Sequence, residues 1–373
     1  MNKISHYIEV LRRELKFLPS TITYIFSNKK RAFYVGCTGM QNLGDNAILV
    51  AIKKSFESKL NIYEISYNKP SSGRFLRKIM SSPDFIILGG GTIIRKRRNE
   101  SYLRILNKML NRYPNSKLIV LGPGVADPEF AQMINFPVDK VGWRDTLNKA
   151  TFLSVRGVLS KKELEKWSVK TNIKVYHDPA IYFTKSEIKL KSKTKKIGLN
   201  FANISNRIYG GDQRTIEKFA YKLVERLINT GWEVYLYPTT RQDTEYMLEK
   251  IRLKDFKEIT VYYNYSNLKK SLSFLESLDV FVGQRLHSII FSACVGTPFH
   301  ALEYEPKISD FIYTTGLTSA YKTKVDNLSV DEILLKINHL YSNLDYEQQK
   351  LFGKMIKIKN QQINIVNHLL KNL

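Results

Sequence analysis

The stretch between Asp279 and Lys307 constrains the fold of this chain more than any other part of the sequence. It opens with a short apolar run, Val280–Val282, closed by Gly283, and a buried parallel strand has this pattern. Apolar residues then recur at helical spacing as far as Cys294, after which glycine and proline end the helix and a second apolar run begins. The stretch therefore predicts one strand–turn–helix–strand unit of a parallel α/β sheet.

The turn of this unit carries Arg285, Leu286 and His287, at the carboxyl end of the strand and the start of the helix. Ligands of open α/β sheets bind at this edge. A helix N-terminus beside a guanidinium suits an anion such as phosphate or carboxylate. An arginine and a histidine in a turn are also often only solvated polar residues. The turn alone therefore leaves an anion site and a plain surface turn open.

Strands and helices alternate in two series along the chain, one over residues 31–185 and one over residues 196–330. Two such series predict an α/β protein with two Rossmann-like domains facing a cleft. The lysine- and serine-rich segment 185–196 lacks apolar periodicity and is expected to link them. Residues 331–373 are expected to form helices that pack back across the domains, with an oligomer contact as the alternative.

Residues 1–30 form an amphipathic segment. Apolar side chains recur at near-helical spacing from Ile4 to Leu18 with basic residues between them, and Pro19 is expected to end the helix. Three more basic residues follow at positions 29–31. The segment is expected either to contact an anionic membrane surface or to pack on the domain that follows it.

The chain has a formal net charge of +25, from 59 lysine and arginine residues against 34 acidic ones. This excess favours anionic partners, although abundant lysine also arises from composition alone. No nucleic-acid-binding motif is present, so we expect no nucleic acid partner. The sequence shows neither a membrane-spanning apolar run nor a signal peptide. We therefore expect a cytoplasmic protein, with a peripheral position at the inner face of the membrane as a further expectation.

The two cysteines, Cys37 and Cys294, lie in apolar surroundings and are expected to be buried thiols. Cysteine and histidine residues show no metal-ligand spacing, so we expect no metal site.

Two glycine-containing loops follow strands of the first series. One holds Asn42, Gly44 and Asp45 before a helix, and the other is the run Gly89–Gly91. Backbone at glycine can approach a ligand closely, and its amides can bind an anion, although a tight turn requires the same residues. Asp45 is expected to cap the helix, to contact a ligand, or both. Neither loop has a dinucleotide-binding or P-loop pattern.

The sequence Gly-Gln-Arg-Leu-His-Ser at 283–288, followed by Gly-Thr-Pro and Tyr-Glu-Pro-Lys, resembles the C-terminal signature of polysaccharide pyruvyl transferases. Four further pieces resemble that family in the same order: Asn42-Leu43-Gly44-Asp45, Gly89-Gly90-Gly91, Ser154-Val155-Arg156 and Asp178-Pro179-Ala180. The resemblance spans Tyr34 to Lys307. Two positions depart from the family pattern, namely Pro123 in a glycine turn and Gly157, where the family has aspartate after the arginine.

This resemblance implies a transferase that moves the enolpyruvyl group of phosphoenolpyruvate onto two sugar hydroxyls as a cyclic ketal, without a cofactor. The acceptor would be a bacterial surface polysaccharide or its lipid-linked oligosaccharide precursor. The architecture implied is similar to that of two-domain glycosyltransferases of the B type (GT-B). A GT-B glycosyltransferase that uses a sugar nucleotide in surface glycan synthesis is the alternative, since the same cleft would serve it.

A phosphoenolpyruvate site needs at least two cations, because the donor carries a carboxylate and a phosphate. Arg156 and Arg285 are expected to converge on it across the cleft, beside Leu286 and His287, with Lys307 as a weaker candidate. His287 is expected to be the general acid, because histidine titrates near neutral pH, or else a hydrogen-bond donor to the leaving phosphate. Asp45 and Glu303 remain open as the base for the acceptor.

Overall fold

The computed structural model describes residues 3–37, 42–66, 80–95, 102–188, 190, 192–204, 208, 212–264 and 266–372. Within these residues the chain forms two six-stranded sheets in which every strand pair is parallel. Residues 71–77, whose polar and basic sequence predicts a loop, lie outside them. The chain is thus a mixed α/β protein with two Rossmann-like domains, as the sequence predicted.

The N-terminal domain is built on the first sheet. Its strands are β1 (Lys30–Gly36), β2 (Leu60–Ser66), β3 (Phe85–Gly89), β5 (Lys117–Leu121), β7 (Ala150–Val155) and β8 (Ile173–Val175), in the order β2-β1-β3-β5-β7-β8. A small parallel pair, β4 (Thr92–Ile94) and β6 (Gly124–Val125), lies beyond β3 and β5. The helices are α1 (Lys3–Ile25), α2 (Leu43–Phe56), α3 (Tyr102–Arg112), α4 (Pro128–Met133), α5 (Lys140–Leu147) and α6 (Val158–Lys166), followed by a 3₁₀ turn at Pro179–Phe183.

The C-terminal domain is built on the second sheet. Its strands are β9 (Lys196–Asn200), β10 (Glu233–Leu236), β11 (Thr260–Val261), β12 (Val280–Gly283), β13 (Phe299–Glu303) and β14 (Lys322–Lys324), in the order β11-β10-β9-β12-β13-β14. The helices are α7 (Gln213–Asn229), α8 (Arg241–Glu245), α9 (Leu268–Glu276), α10 (Leu286–Cys294) and α11 (Lys307–Thr314). A π-helical turn at Tyr246–Lys250 follows α8, and 3₁₀ turns lie at Leu253–Asp255, Ser319–Tyr321 and Val325–Asn327.

Strand order reverses direction next to the first strand of each sheet, between β1 and β3 and between β9 and β12. A crevice opens at the carboxyl ends of strands at such a point, because successive connections leave it in opposite directions. Asp45 and the glycine run after β3 lie at the first of these points. Asn200 and the turn with Arg285 lie at the second.

Two C-terminal helices, α12 (Val330–Ser342) and α13 (Leu344–Lys371), complete the chain. Helix α13 packs against α2 of the N-terminal domain and α10 of the C-terminal domain, so it fastens both. On its buried face Gln362 donates from Nε2 to the backbone oxygens of Tyr176 (3.0 Å) and Asp178 (2.8 Å). Val366 is buried on this face, and its neighbour Ile365 is partly buried.

Two local expectations were wrong. Pro19 lies inside α1 instead of ending it, because Thr21 Oγ1 bonds to the Phe17 oxygen (2.8 Å) and Tyr24 packs in the core beyond the proline. Burial raises the pKa of Cys294 to about 12, as expected for a buried thiol, but Cys37 is only partly buried.

We expect the stability of the fold to fall as pH decreases from 6.5 to about 4. Burial lowers the pKa of both His177 and His300 from 6.5 to about 4. In this window the unfolded chain therefore takes up a proton at each position before the folded chain does, which favours unfolding. Thermal melts across the window should show a smaller loss of melting temperature for His300→Gln than for the parent, since glutamine can bond Thr323 without titrating. His368→Gln, at an exposed position, is the control, and equal slopes for His300→Gln and the parent would contradict the assignment.

Candidate functional site

Asn42 and Asp45 have different roles at the start of α2. Asn42 Oδ1 accepts a hydrogen bond from the Gly44 amide (2.9 Å), so Asn42 is the N-cap and the expectation that Asp45 caps the helix was wrong. Asp45 lies in the first turn, partly buried and close to Gly91. Burial raises the pKa of Asp45, while His287, Lys307 and Arg95 act to lower it. Asp45 therefore shares one region with three cationic side chains.

The glycine run at the end of β3 is explained first by packing. Gly90 and Gly91 have φ angles of +31° and +74°, which favour glycine. A side chain at Gly90 would also overlap Ile48 of α2. A Cβ at Gly89 would contact Tyr34 and Ile52. These glycines let α2 approach the sheet closely, which brings Asp45 to the edge of the cleft.

The guanidinium of Arg285 is held within its own domain. Its Nη2 and Nε bond to Oδ1 of the fully buried Asp243 at 2.7 and 3.2 Å. Its backbone amide donates to Asn200 Oδ1 (2.8 Å), and Asn200 in turn donates to the Tyr237 oxygen (2.8 Å). Within the described part of the chain, no polar contact joins Arg285 to Arg156. Two cations would not bond to each other directly, so the convergence of both arginines on one anionic donor stays a prediction.

Arg156 instead meets His287, through Asp178. Asp178 Oδ2 lies 3.6 Å from His287 Nε2 and 4.0 Å from Arg156 Nη1, and Oδ1 accepts from the Ala180 amide (3.0 Å). Burial alone would raise the pKa of Asp178, but His287 and Arg156 hold it below its ordinary value. A basic side chain from each domain thus approaches one carboxylate.

Three polar atoms at this junction are buried without a hydrogen-bond partner among the described residues: Asp178 Oδ2, His287 Nε2 and Arg156 Nε. Asp178 and Arg156 are only 1% and 3% exposed. The same guanidinium is anchored through Nη2, which donates a hydrogen bond to Thr92 Oγ1 (3.2 Å). Buried polar atoms in native structures are usually satisfied, so this cluster indicates a place where a polar ligand completes the bonding.

His287 reaches the N-terminal domain because Gly44 leaves room for it. A side chain at Gly44 would overlap the His287 ring. The glycine of the Asn42–Asp45 loop is therefore a contact point between the domains, and the site at Asp178 is complete only when both domains are present.

The other predicted residues lie in different surroundings. Lys307 Nζ contacts Glu305 and the Tyr304 hydroxyl, and lies 4.7 Å from the centre of the Tyr304 ring. Leu286 is a core residue, 2% exposed. Glu303 is buried and bound by Ser309 and Lys322, so of the two candidate bases only Asp45 lies beside His287.

A cavity of about 760 Å³ opens beside this site and is lined by both domains. Its wall on the side of α4 is mainly apolar, and the lining also carries cationic side chains at Arg95, Lys162, Lys166 and Lys307. The remaining lining residues are Thr92, Val125, Ala126, Asp127, Phe130, Ala131, Met133, Ile134, Asn135, Phe136, Leu159, Ser160, Glu163, Glu305, Pro306 and Asp310. The cavity is large enough for a sugar, and Thr92 connects it to Arg156.

Gly157, which departs from the family pattern, stands at the start of α6. Asp310 of α11 in the C-terminal domain caps that helix. Gly157 is the N-cap position and has no side chain to cap with. Asp310 Oδ1 accepts from the Leu159 amide (2.8 Å) and Oδ2 accepts from Ser160 Oγ (2.6 Å). A side chain at Gly157 would overlap the Asp310 carboxylate, although its φ of −150° suits any residue. The acidic group at the start of α6 is therefore supplied by α11.

Sequence reasoning missed Asp178, Asp243 and Asp310 as site residues. Asp178 entered only as part of the Asp178-Pro179-Ala180 piece that resembles the family, without a role of its own, and Asp243 was not singled out. The available signal was their position, because Asp178 and Asp243 both follow strands near the carboxyl edges of the two sheets. Asp310 gave no such signal, since it lies within α11.

Gly157→Asp should lower the free energy of unfolding by more than about 2 kcal/mol, because two carboxylates would then be buried together at one helix end. Adding Asp310→Ala should restore part of this loss, giving a coupling energy of about 1 kcal/mol or more. Denaturant titrations of the single and double variants measure it. Asp331→Ala, at an exposed acidic position, should combine additively with Gly157→Asp, and additivity of Asp310→Ala as well would refute the capping role.

The comparisons with known proteins agree with this architecture. A glycosyltransferase from Rickettsia africae has 12% identity and a TM-score of 0.56, over 93% of this chain and 100% of that chain. A UDP-GlcNAc 2-epimerase from Neisseria meningitidis, bound to UDP-GlcNAc, has 10% identity and a TM-score of 0.55, over 91% and 100%. Similarity at these identities shows the fold alone, which is GT-B-like as the sequence predicted. No curated protein matches the chain.

The family model for polysaccharide pyruvyl transferases matches residues 42–306. The match covers well over half of the chain and includes Asp45, Arg156, Asp178, Arg285 and His287. The chain therefore belongs to the polysaccharide pyruvyl transferase family and is a transferase enzyme.

Proposed function

We propose that this enzyme transfers the enolpyruvyl group of phosphoenolpyruvate to two hydroxyls of a sugar, forming a pyruvate ketal on a bacterial surface polysaccharide or its lipid-linked precursor. The observation that carries this proposal is the junction at Asp178, where Arg156 and His287 approach one buried carboxylate from different domains. A cation and a proton donor meet there beside a cavity that both domains line. Transfer of an anionic donor to a sugar needs those groups together.

Arg156 and Arg285 are the proposed contacts to the two anionic groups of the donor. Arg156 Nε is buried without a partner among the described residues, so a donor oxygen would complete its bonding. Asp243 contacts the Nε and Nη2 edge of Arg285, and the Nη1 atom makes no hydrogen bond to any described residue. Arg285 can therefore meet an anion at the start of α10 while Asp243 holds its orientation. Lys307 and Arg95 add positive charge to the lining of the cavity.

His287 is the proposed general acid. A sugar hydroxyl adds to carbon two of the enolpyruvyl group while an imidazolium proton of His287 passes to carbon three, which becomes the methyl group. The bond from carbon two to the phosphate oxygen then breaks, and the second hydroxyl closes the ketal. One hydroxyl proton replaces the proton lost by His287, and the other leaves with phosphate. Asp178 Oδ2, 3.6 Å from Nε2, would orient the imidazole ring.

Asp45 is the proposed base that accepts the hydroxyl proton. It lies beside His287 and Gly91, and burial raises its pKa, which makes its carboxylate a stronger base than an exposed aspartate. The acceptor sugar would then occupy the cavity between α4, α6 and the start of α11. Its apolar wall, with Phe130 and Phe136, suits the C–H faces of a sugar ring, and the cationic side chains suit an acidic or phosphorylated acceptor.

Arg156→Gln should weaken phosphoenolpyruvate binding by about tenfold to a hundredfold, because a hydrogen bond to a charged group contributes about 1.5–3 kcal/mol. His287→Gln should leave binding near that of the parent and lower the single-turnover rate by about a hundredfold to ten-thousandfold. Calorimetry and rapid quenching on the same preparations separate the two effects. Arg144→Gln, at an exposed surface arginine, is the control.

The same calorimetry distinguishes the alternative function. A panel of UDP-sugars tested beside phosphoenolpyruvate should give no binding. Binding of a UDP-sugar with no binding of phosphoenolpyruvate would overturn the proposal in favour of a GT-B glycosyltransferase. A gain in mass of one pyruvate ketal on surface glycan precursors is the direct test of the reaction.

The rate should fall on the acidic side of the pH profile with an inflection above 3.8, the ordinary pKa of aspartate. The base must be ionised to accept a proton, so the rate rises with pH through the pKa of Asp45, which burial raises. Asp45→Asn should lower turnover by about a hundredfold or more and remove this acidic limb. Retention of the limb in that variant, with donor binding intact, would exclude Asp45 as the base.

A further inference from the structure

Helix α1 presents its apolar stripe to solvent and not to the protein. Six large apolar side chains lie along this stripe at spacings of three or four residues: Ile8, Leu11, Leu15, Leu18, Ile22 and Phe26, which are 48%, 61%, 55%, 38%, 48% and 79% exposed. At about 1.5 Å per residue the stripe is about 27 Å long. A continuous exposed apolar surface of this kind marks an interaction site.

The opposite face of α1 attaches it to the N-terminal domain. Tyr24 is fully buried against Phe33 and Tyr63, with ring centres 5.4 and 5.8 Å apart, and Thr21 donates to the Tyr63 hydroxyl (3.4 Å). Glu14 is also buried on the protein side. The helix is therefore docked on the domain by its aromatic and polar residues, which leaves the apolar stripe without a partner among the described residues.

The net positive charge of the N-terminal segment indicates which partner the apolar stripe of α1 binds. Residues 1–31 contain seven lysine and arginine residues and two acidic residues, of which Glu14 is buried. Arg12 is exposed on α1, and Lys29 and Lys30 are exposed just after it. Two copies of this surface facing each other in a symmetric dimer would place like charges together. An anionic bilayer offers both a negative surface and an apolar layer beneath it.

We propose that α1 binds the surface of an anionic membrane, with the stripe from Ile8 to Phe26 inserted at the interface and the basic residues on the lipid headgroups. None of the helices in the described part of the chain is long and apolar enough to cross a bilayer. Because the exposed apolar side chains run along its length, the helix would lie parallel to the membrane surface. This inference is independent of the proposed reaction, because it concerns a face that contributes no residue to the Asp178 site.

Flotation of the full chain with vesicles tests the proposal without any donor or acceptor. The parent should float with vesicles of phosphatidylcholine and phosphatidylglycerol and remain largely unbound with phosphatidylcholine alone. Leu11→Gln/Leu15→Gln/Ile22→Gln should lower the partition coefficient about tenfold or more, since burial of aliphatic side chains drives insertion. Arg12→Glu should lower it about fivefold or more, and high salt should weaken binding by the parent.

The matched control is Leu335→Gln/Tyr346→Gln/Ile363→Gln, which removes three exposed apolar side chains from α12 and α13. It should float like the parent, and all variants should keep the parent's melting temperature because the changed residues are exposed. Equal recovery with neutral and anionic vesicles, or flotation of the stripe variant like the parent, would overturn the proposal. So would a dimer in analytical ultracentrifugation that the stripe variant dissociates, if the parent does not float.

Discussion

The cleft depends on keeping the carboxylate of Asp178 buried. A buried charge is costly unless neighbouring groups compensate it, and here the compensation comes from separate parts of the chain. Arg156 approaches from the end of β7, His287 from α10, and the Ala180 amide from the adjacent 3₁₀ turn. Gln362 of α13 binds the Asp178 backbone oxygen. The two domains and the closing helix must therefore assemble before this carboxylate has its full environment.

Much of the fold could be predicted from the sequence because parallel strands that are buried on both faces appear as continuous apolar runs. The runs at Phe85–Gly89 and Val280–Gly283 are fully buried, and both were recognised as strands. The elements missed were short, such as Gly124–Val125 and Lys322–Lys324, because two or three residues carry no periodicity. The prediction that α1 ends at Pro19 was wrong because the burial of Tyr24, beyond the proline, outweighs the proline's tendency to end the helix.

The candidate site was predictable only in part. Chain position at strand ends located Asp45, Arg156 and His287, and the structure brings all three to one region. The sequence could not show that Asp243 holds Arg285, nor that Asp178 links Arg156 to His287, because the sequence does not specify which distant side chains pair. The polar contacts across the domain boundary are set by how the two sheets face each other.

The contact between Gly157 and Asp310 couples two positions that lie far apart in the sequence. An aspartate at residue 157 and one at residue 310 would compete for the same space beside Leu159 and Ser160, whereas the absence of both leaves the helix end uncapped. A chain with aspartate only at residue 157 and a chain with aspartate only at residue 310 differ by two substitutions. The intermediate between them either has both aspartates, which is strained, or has neither, which leaves the helix end uncapped. Selection at either position therefore depends on the residue at the other, although 153 positions separate them in sequence.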